Sequence, residues 1–297
     1  MRRKVVKKVL SVEQAEGRGA RVRRSIGRKE LRRLDPFLML DEFRVRPPAG
    51  FPDHPHRGFE TVTYILKGGV KHEDFCGHQG VISKGDLQWM TAGRGVVHSE
   101  MPATDGENVG LQLWVNLPKA EKLIEPAYQE LLATEIPSTA QDGTSVKGKL
   151  WQSRRLIAGE SMGIQSPVRT HTPVYYLDFE QQPGARLIQE VPQSWNAFLY
   201  VLSGMIKIQS EDEEEDVESE AHHTLVLGDG DSVQVTNMGP DKAHFVLIAG
   251  QPIGEPVAQY GPFVMNTQEE INEAITDYNL QQNGFENAHG WRSAAQK

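Results

Sequence analysis

A single cysteine, Cys76, stands among 297 residues, so no intramolecular disulfide can staple the fold, and a reducing compartment, cytosolic or nuclear, suits the chain. Long apolar runs are also missing. The basic opening MRRKVVKKVL is followed by Glu13 and Arg18 before any signal-peptide stretch develops. The longest apolar runs, such as residues 245–249, are strand-sized, against roughly 20 residues for a membrane-spanning helix. A soluble intracellular chain is therefore expected. No Gly-rich phosphate loop and no arrangement of Ser, Lys and Asp resembling a nucleophilic triad is present, which removes nucleotide-binding and acyl-transfer classes from consideration.

What remains is enough chain, at 38% hydrophobic content, to bury two modest cores. The formal charge of −8 is unevenly distributed: residues 1–33 hold 13 Lys/Arg and 3 Glu, a net +10, which leaves −18 for the rest. Eight acidic residues fall within positions 211–220, read here as a solvated loop. The basic end is expected to belong to strands leading into the first half of the chain.

Gly (28) and Pro (17) punctuate short runs rich in Val, Ile, Leu and Tyr, the rhythm of an all-β chain. Strands are expected at 61–66, 85–91, 110–115, 174–179, 197–202, 205–209, 232–236 and 244–249. An internal repeat links YILKG at 64–68 with YVLSG at 200–204, and Gly85, Asp86 and Thr91 with Gly230, Asp231 and Thr236. The second match is spaced nine residues further apart, and the acidic run is the expected insertion. Two β-domains of similar design follow. The expected division is 1–133, a linker at 134–147, and 148–297 including a helix at 267–283, where Thr267 and Glu270 form a capping box and Asn283-Gly284 a stop.

Five of the ten His residues lie between 54 and 98. Positions i and i+2 of a strand share a face, so His54 with His56, and His98 with Glu100, each offer two donors to one point. Three imidazoles and a carboxylate with positions left over describe an open metal site. Glu60 is a rival carboxylate by spacing and by parity with His54 and His56. His72, Cys76 and His78 are expected to be barrel wall, and Trp89 and Met90 core.

The spacing His-x-His-x3-Glu, then Gly-x-Gly-x2-His about forty residues on, resembles the two-part cupin motif. FPDHPHRGFETVTY from Phe51, HEDFCGH from His72, GDLQWMTAGRGVVHSEMP from Gly85 and GPFVMN from Gly261 resemble pirins more specifically. That resemblance implies two tandem cupin (jelly-roll) barrels with a C-terminal α-helix, and one metal, iron as Fe2+ or Fe3+, in the first barrel. It places the ligands on His54, His56, His98 and Glu100, with Glu100 as proton acceptor, and other divalent transition metals able to occupy the cage. The second barrel is expected to be bare, with Glu190 and Pro192 opposite His54 and His56. Quercetin 2,3-dioxygenase activity on a flavonol is implied, as is a monomeric, redox-sensitive transcriptional coregulator of Rel-type factors and their coactivators in nucleus and cytoplasm. Arg21, Arg23 and Arg24 are the expected partner-binding residues. No helix carries a basic recognition face, so direct sequence-specific DNA reading is not expected. Residues 148–155 are read as an inserted exposed loop dividing one family strand between Val146-Lys147 and Leu156.

Overall fold

The structure, a computed structural model, describes residues 1–145, 148–161 and 164–294. All eight expected strands form, and the period-two burial along Asn108–Asn116 follows the alternation of its residues. Among the described residues no helix is long and apolar enough to cross a membrane.

Two compact units emerge, and each draws on segments distant in sequence. One comprises residues 13–27, 36–135 and 253–297, the other 1–12, 28–35 and 136–252. In the first unit a seven-stranded sheet runs in the order Ala127–Leu131, Leu87–Thr91, Phe59–Lys67, Asn108–Asn116, Phe37–Val45, Ala20–Ile26, Glu13–Glu16. A four-stranded sheet completes it, ordered Phe51–His56, Val96–Pro102, Gly69–Asp74, Gln79–Ser83. The second unit repeats this pattern: Val5–Leu10, His223–Leu227, Asn196–Ser203, Ala243–Gly250, Val174–Gln181, Gly148–Ala158, Ser138–Ser145, with Arg186–Glu190, Ser232–Asn237, Met205–Gln209, Val217–Glu220 as the smaller sheet. Two cupin barrels account for both lists.

Laying the two sheet orders side by side corrects several expectations. Leu87–Thr91 corresponds to His223–Leu227, and Val96–Pro102 to Ser232–Asn237. The match of Gly85-Asp86 with Gly230-Asp231 therefore joins strands that are not equivalent, and no nine-residue insertion exists. The acidic run occupies the place of residues 75–84 and closes the hairpin of Met205–Gln209 with Val217–Glu220. It is not left to solvent alone: the N-terminal ammonium lies 4.0 Å from Glu211, Lys4 2.7 Å from Glu215, and the Arg2 amide donates to Glu211. The most basic opening residues thus belong to the second unit, where Val5–Leu10 supplies the outer strand.

Residues 148–155 are likewise no loop. Gly148–Ala158 pairs with Ser138–Ser145 on one side and with Val174–Gln181 on the other, so backbone groups that a loop would leave to water are spent in a ladder. It is the counterpart of the Glu13–Glu16/Ala20–Ile26 hairpin. Part of the segment read as linker, 138–145, is the partner strand; Val146 and Lys147 lie outside the described residues.

Near the C-terminus, the helix Gln268–Leu280 starts on the expected capping box, Thr267 accepting from the Glu270 amide and the Glu270 carboxylate accepting from that of Thr267. It ends one turn before the expected stop, at Gln281 in the left-handed region (φ 55°). Its buried Ile271 and Ala274 pack with Met90, Val96, Phe263 and Phe285 in the first barrel's unit.

Candidate metal centre

The edge strand Phe51–His56 tolerates Pro52 and Pro55 because an edge leaves half its amides unpaired. Pairing with Val96–Pro102 then sets His98 opposite His54. Ring nitrogens of His54, His56 and His98 all lie within 4.8 Å of one another, with His54 Nε2 3.0 Å from His98 Nε2. His54 Nδ1 donates to the Pro52 carbonyl at 2.8 Å, which fixes its tautomer and leaves the Nε2 lone pair facing the other two rings.

Burial pushes all three imidazoles below their ordinary pKa, and the neighbouring rings push His56 and His98 further. They are neutral, hence ligand-competent, near neutral pH. Both nitrogens of His56 and Nδ1 of His98 are buried with no hydrogen-bond partner in the protein. A buried donor or acceptor without a partner costs about 1–3 kcal/mol, and a cation bound by imidazole nitrogens offsets that cost at the coordinating atoms. The donor set fits a transition metal.

Glu100 does not join the group within 4.8 Å. Its carboxylate lies 3.0 Å from Thr63 Oγ1, which is also 2.6 Å from the Gln112 side chain. One hydroxyl proton cannot serve two acceptors: with Glu100 ionised, Gln112 turns its amide nitrogen to Thr63. Burial raises the Glu100 carboxyl to about 7, although the Thr63 bond opposes the rise. Glu60 faces the other way. The turn at Gly58 (φ 87°) resets the alternation, so Glu60 pairs with Thr91 and accepts its hydroxyl at 2.8 Å on the sheet face opposite Thr61 and Thr63.

The wall facing Glu100 is one row across the large sheet: Asp41, Gln112, Thr63 and Gln88, each the ladder partner of the next. All but the partly buried Gln112 are at most 3% exposed. The equivalent row in the second barrel is Leu177, Leu247, Leu199 and Leu225, inside its apolar core. The smaller sheets differ in the same sense. Glu100 pairs with His72, whereas Val235, one residue before the repeat-based counterpart, pairs with Leu187 on one side and Ile208 on the other. Following the ladder, Gln189 and Val191, not Glu190 and Pro192, stand where the first barrel has His54 and His56; Glu190 points out to solvent. The polar row is the feature that sequence reading missed, because alternate residues Val62, Leu111 and Leu113 fill the opposite face and mask it.

On the smaller sheet, His72 lies 2.8 Å from Glu130, which reaches solvent. His78 caps Asp74 in the following turn, and Cys76 is exposed. Trp89 and Met90 are fully buried core. His56 packs edge-on against Phe59 and Trp114, at 5.2 and 5.3 Å between ring centres. Of the three arginines of the expected partner surface, Arg21 is exposed and Arg23 and Arg24 are partly buried. Arg21 bonds Glu13; Arg24 binds Glu16 and Asp41; Arg23 sits in register between Glu13 and Glu42.

A family model described as Pirin matches residues 19–115, and one described as Pirin C-terminal cupin domain matches residues 176–284. The human protein named Pirin is 56% identical over 292 residues, covering 98% of this chain and 97% of that protein. A pirin-like protein of Solanum lycopersicum is 58% identical over 291 residues, covering 98% and 96%. Among solved structures, a quercetin 2,3-dioxygenase from Acinetobacter baumannii matches with a TM-score of 0.84 at 32% identity, over 95% of this chain and 98% of that one. A bacterial pirin from Escherichia coli, solved with nickel(II), shares the fold with a TM-score of 0.62 at 17% identity, over 83% and 99%.

Proposed function

Because the chain belongs to the pirin family, we propose that it is a metal-dependent dioxygenase, using iron held by His54, His56, His98 and Glu100 to open the central ring of a flavonol of the quercetin type. The observation that carries this is the convergence of three neutral imidazoles within 4.8 Å of one another, with both nitrogens of His56 and Nδ1 of His98 unsatisfied by the protein. Iron at this position would supply Lewis acidity toward vicinal oxygens and a redox partner for dioxygen. Similarity to the Acinetobacter enzyme supports the substrate class.

Each protein group has a task in that reading. His54 is held in one tautomer by Pro52. Glu100, bonded to Thr63, would accept the substrate's hydroxyl proton, and Thr63 and Gln112 orient it. Phe59 and Trp114 give the His56 side an aromatic wall suited to a flat ligand. The regulatory reading, a coregulator docking Rel-type factors through Arg21, Arg23 and Arg24, would require Arg24 to leave Glu16 and the buried Asp41, whereas the exposed Arg21–Glu13 pair offers little resistance. Iron-reconstituted protein should consume oxygen and release carbon monoxide with quercetin, while His56→Ala should do neither. Oxygen consumption by metal-free protein at the same rate would refute the proposal.

A further inference from the structure

Arg57 follows the ligand His56 directly, yet its side chain leaves the metal site and is 3% exposed. Its guanidinium donates in three directions: Nε to the Arg94 carbonyl at 2.6 Å, one terminal nitrogen to Asp277 at 2.8 Å, the other to the Asn283 carbonyl at 2.6 Å. The ring of Phe285 lies beneath it at 4.7 Å. Arg94 belongs to the Gly93-Arg94-Gly95 turn, four residues before His98. One fork therefore ties the strand carrying His54 and His56, the turn feeding His98, and the C-terminal helix with its exit.

The backbone is fitted to the same contact. A Cβ at Gly58 would stand 2.0 Å from the Val264 carbonyl, one at Gly95 2.9 Å from that of Gly284, and one at Gly284 2.4 Å from that of Arg94. The Val264 amide donates to the Arg57 carbonyl and the Arg57 amide to that of Pro262, and the buried Lys122 ammonium bridges the Gly58 and Val264 carbonyls at 2.8 and 3.1 Å. Thus the segment 262–285 lies backbone against backbone on both turns that adjoin the strands bearing the candidate ligands.

We propose that this C-terminal segment is a latch on the metal centre, with Arg57 as the positioning residue that links latch docking to metal occupancy. Ligand rings must be held to within a fraction of an ångström for tight binding, and the docked latch fixes both strands before the ion arrives. Linkage is reciprocal: whatever factor docking adds to metal affinity, the metal adds to docking. The inference rests on the metal reading of the three imidazoles. A purely structural Arg57–Asp277 pair would stabilise the unit and leave the metal indifferent.

The test uses full-length, metal-stripped protein and Co(II) alone. Amide exchange across Gln268–Leu280 should slow when Co(II) is added to the wild type. Asp277→Asn, far from the ligands, should weaken Co(II) binding about tenfold and change the cobalt absorption spectrum, and Arg57→Met should weaken it by about 10–100-fold, the range expected for residues that orient ligands. Asp277→Glu should restore part of the affinity. Unchanged exchange on adding Co(II), or Asp277→Asn loosening the helix while affinity and spectrum stay as in the wild type, would overturn the latch. If Arg57→Met does not fold, the Asp277 variants and the exchange measurement decide. Wild-type protein that binds no Co(II) would instead overturn the metal reading itself.

Discussion

Replacing Glu100 by Gln should stabilise the metal-free protein at pH 8 and leave it nearly unchanged at pH 5. Burial raises this carboxyl from an ordinary 4.5 to about 7, with Thr63 opposing, so the folded state binds the proton more tightly than the unfolded chain does. The contribution is fully present below about pH 4.5 and is lost as pH rises through 7. Moving the carboxyl from 4.5 to about 7, at about 1.4 kcal/mol per pH unit, gives roughly 3–3.5 kcal/mol of cost for holding Glu100 ionised in the empty barrel. Glutamine has the same shape and no charge, and forfeits about 1 kcal/mol of charge-assisted bonding to Thr63, leaving a gain of about 2 kcal/mol at pH 8. Urea unfolding of metal-free wild type and variant at the two pH values measures it. Titration of the three histidines occurs in both proteins and cancels. An equal difference at pH 5 and pH 8, or destabilisation at both, would refute the assignment of a strained, buried carboxylate. The same variant should bind metal more weakly, so that the group which costs stability in the empty barrel is the one that serves it when loaded.

Leu199→Ala, in the leucine row of the second barrel, should cost about 2–5 kcal/mol of stability while leaving Co(II) stoichiometry in the first barrel unchanged; calorimetry with a metal titration checks both. In that same barrel, burial disfavours charged His244, but Asp178 at 2.5 Å outweighs it and raises the pKa. Stability from this pair is present below the ordinary His range and lost as pH rises through the raised value, and Asp178→Asn should flatten that part of the profile; an unaltered profile would show that the pair contributes nothing.

Strand positions and the helix start were legible because they depend on local chemistry: Val/Ile/Leu runs between Gly and Pro, and the Thr267–Glu270 box. So was the histidine triad, since His54 and His56 share a strand face by simple parity. What failed was long-range register. The turn at Gly58 inverted the face of Glu60, and the coincidence of Gly-Asp at 85 and 230 shifted the repeat by nine residues. Short words match by chance, whereas ladder partners do not. The 148–155 strand is illegible locally for the same reason, as its stabilising partners, 138–145 and 174–181, are set by register rather than by its own residues. Exchange of terminal segments between the units left no local mark either: nothing in VVKKVL or in the Arg57–Asp277 spacing of 220 residues announces which barrel each completes.

One metal ion in one barrel is the premise shared by the proposed activity and the latch. Titrating metal-stripped protein with Co(II), followed by its absorption spectrum, should show one ion per chain, with binding abolished by His56→Ala and by His98→Ala and retained in Leu199→Ala. Two ions per chain, none, or binding that survives the loss of His56 would contradict it.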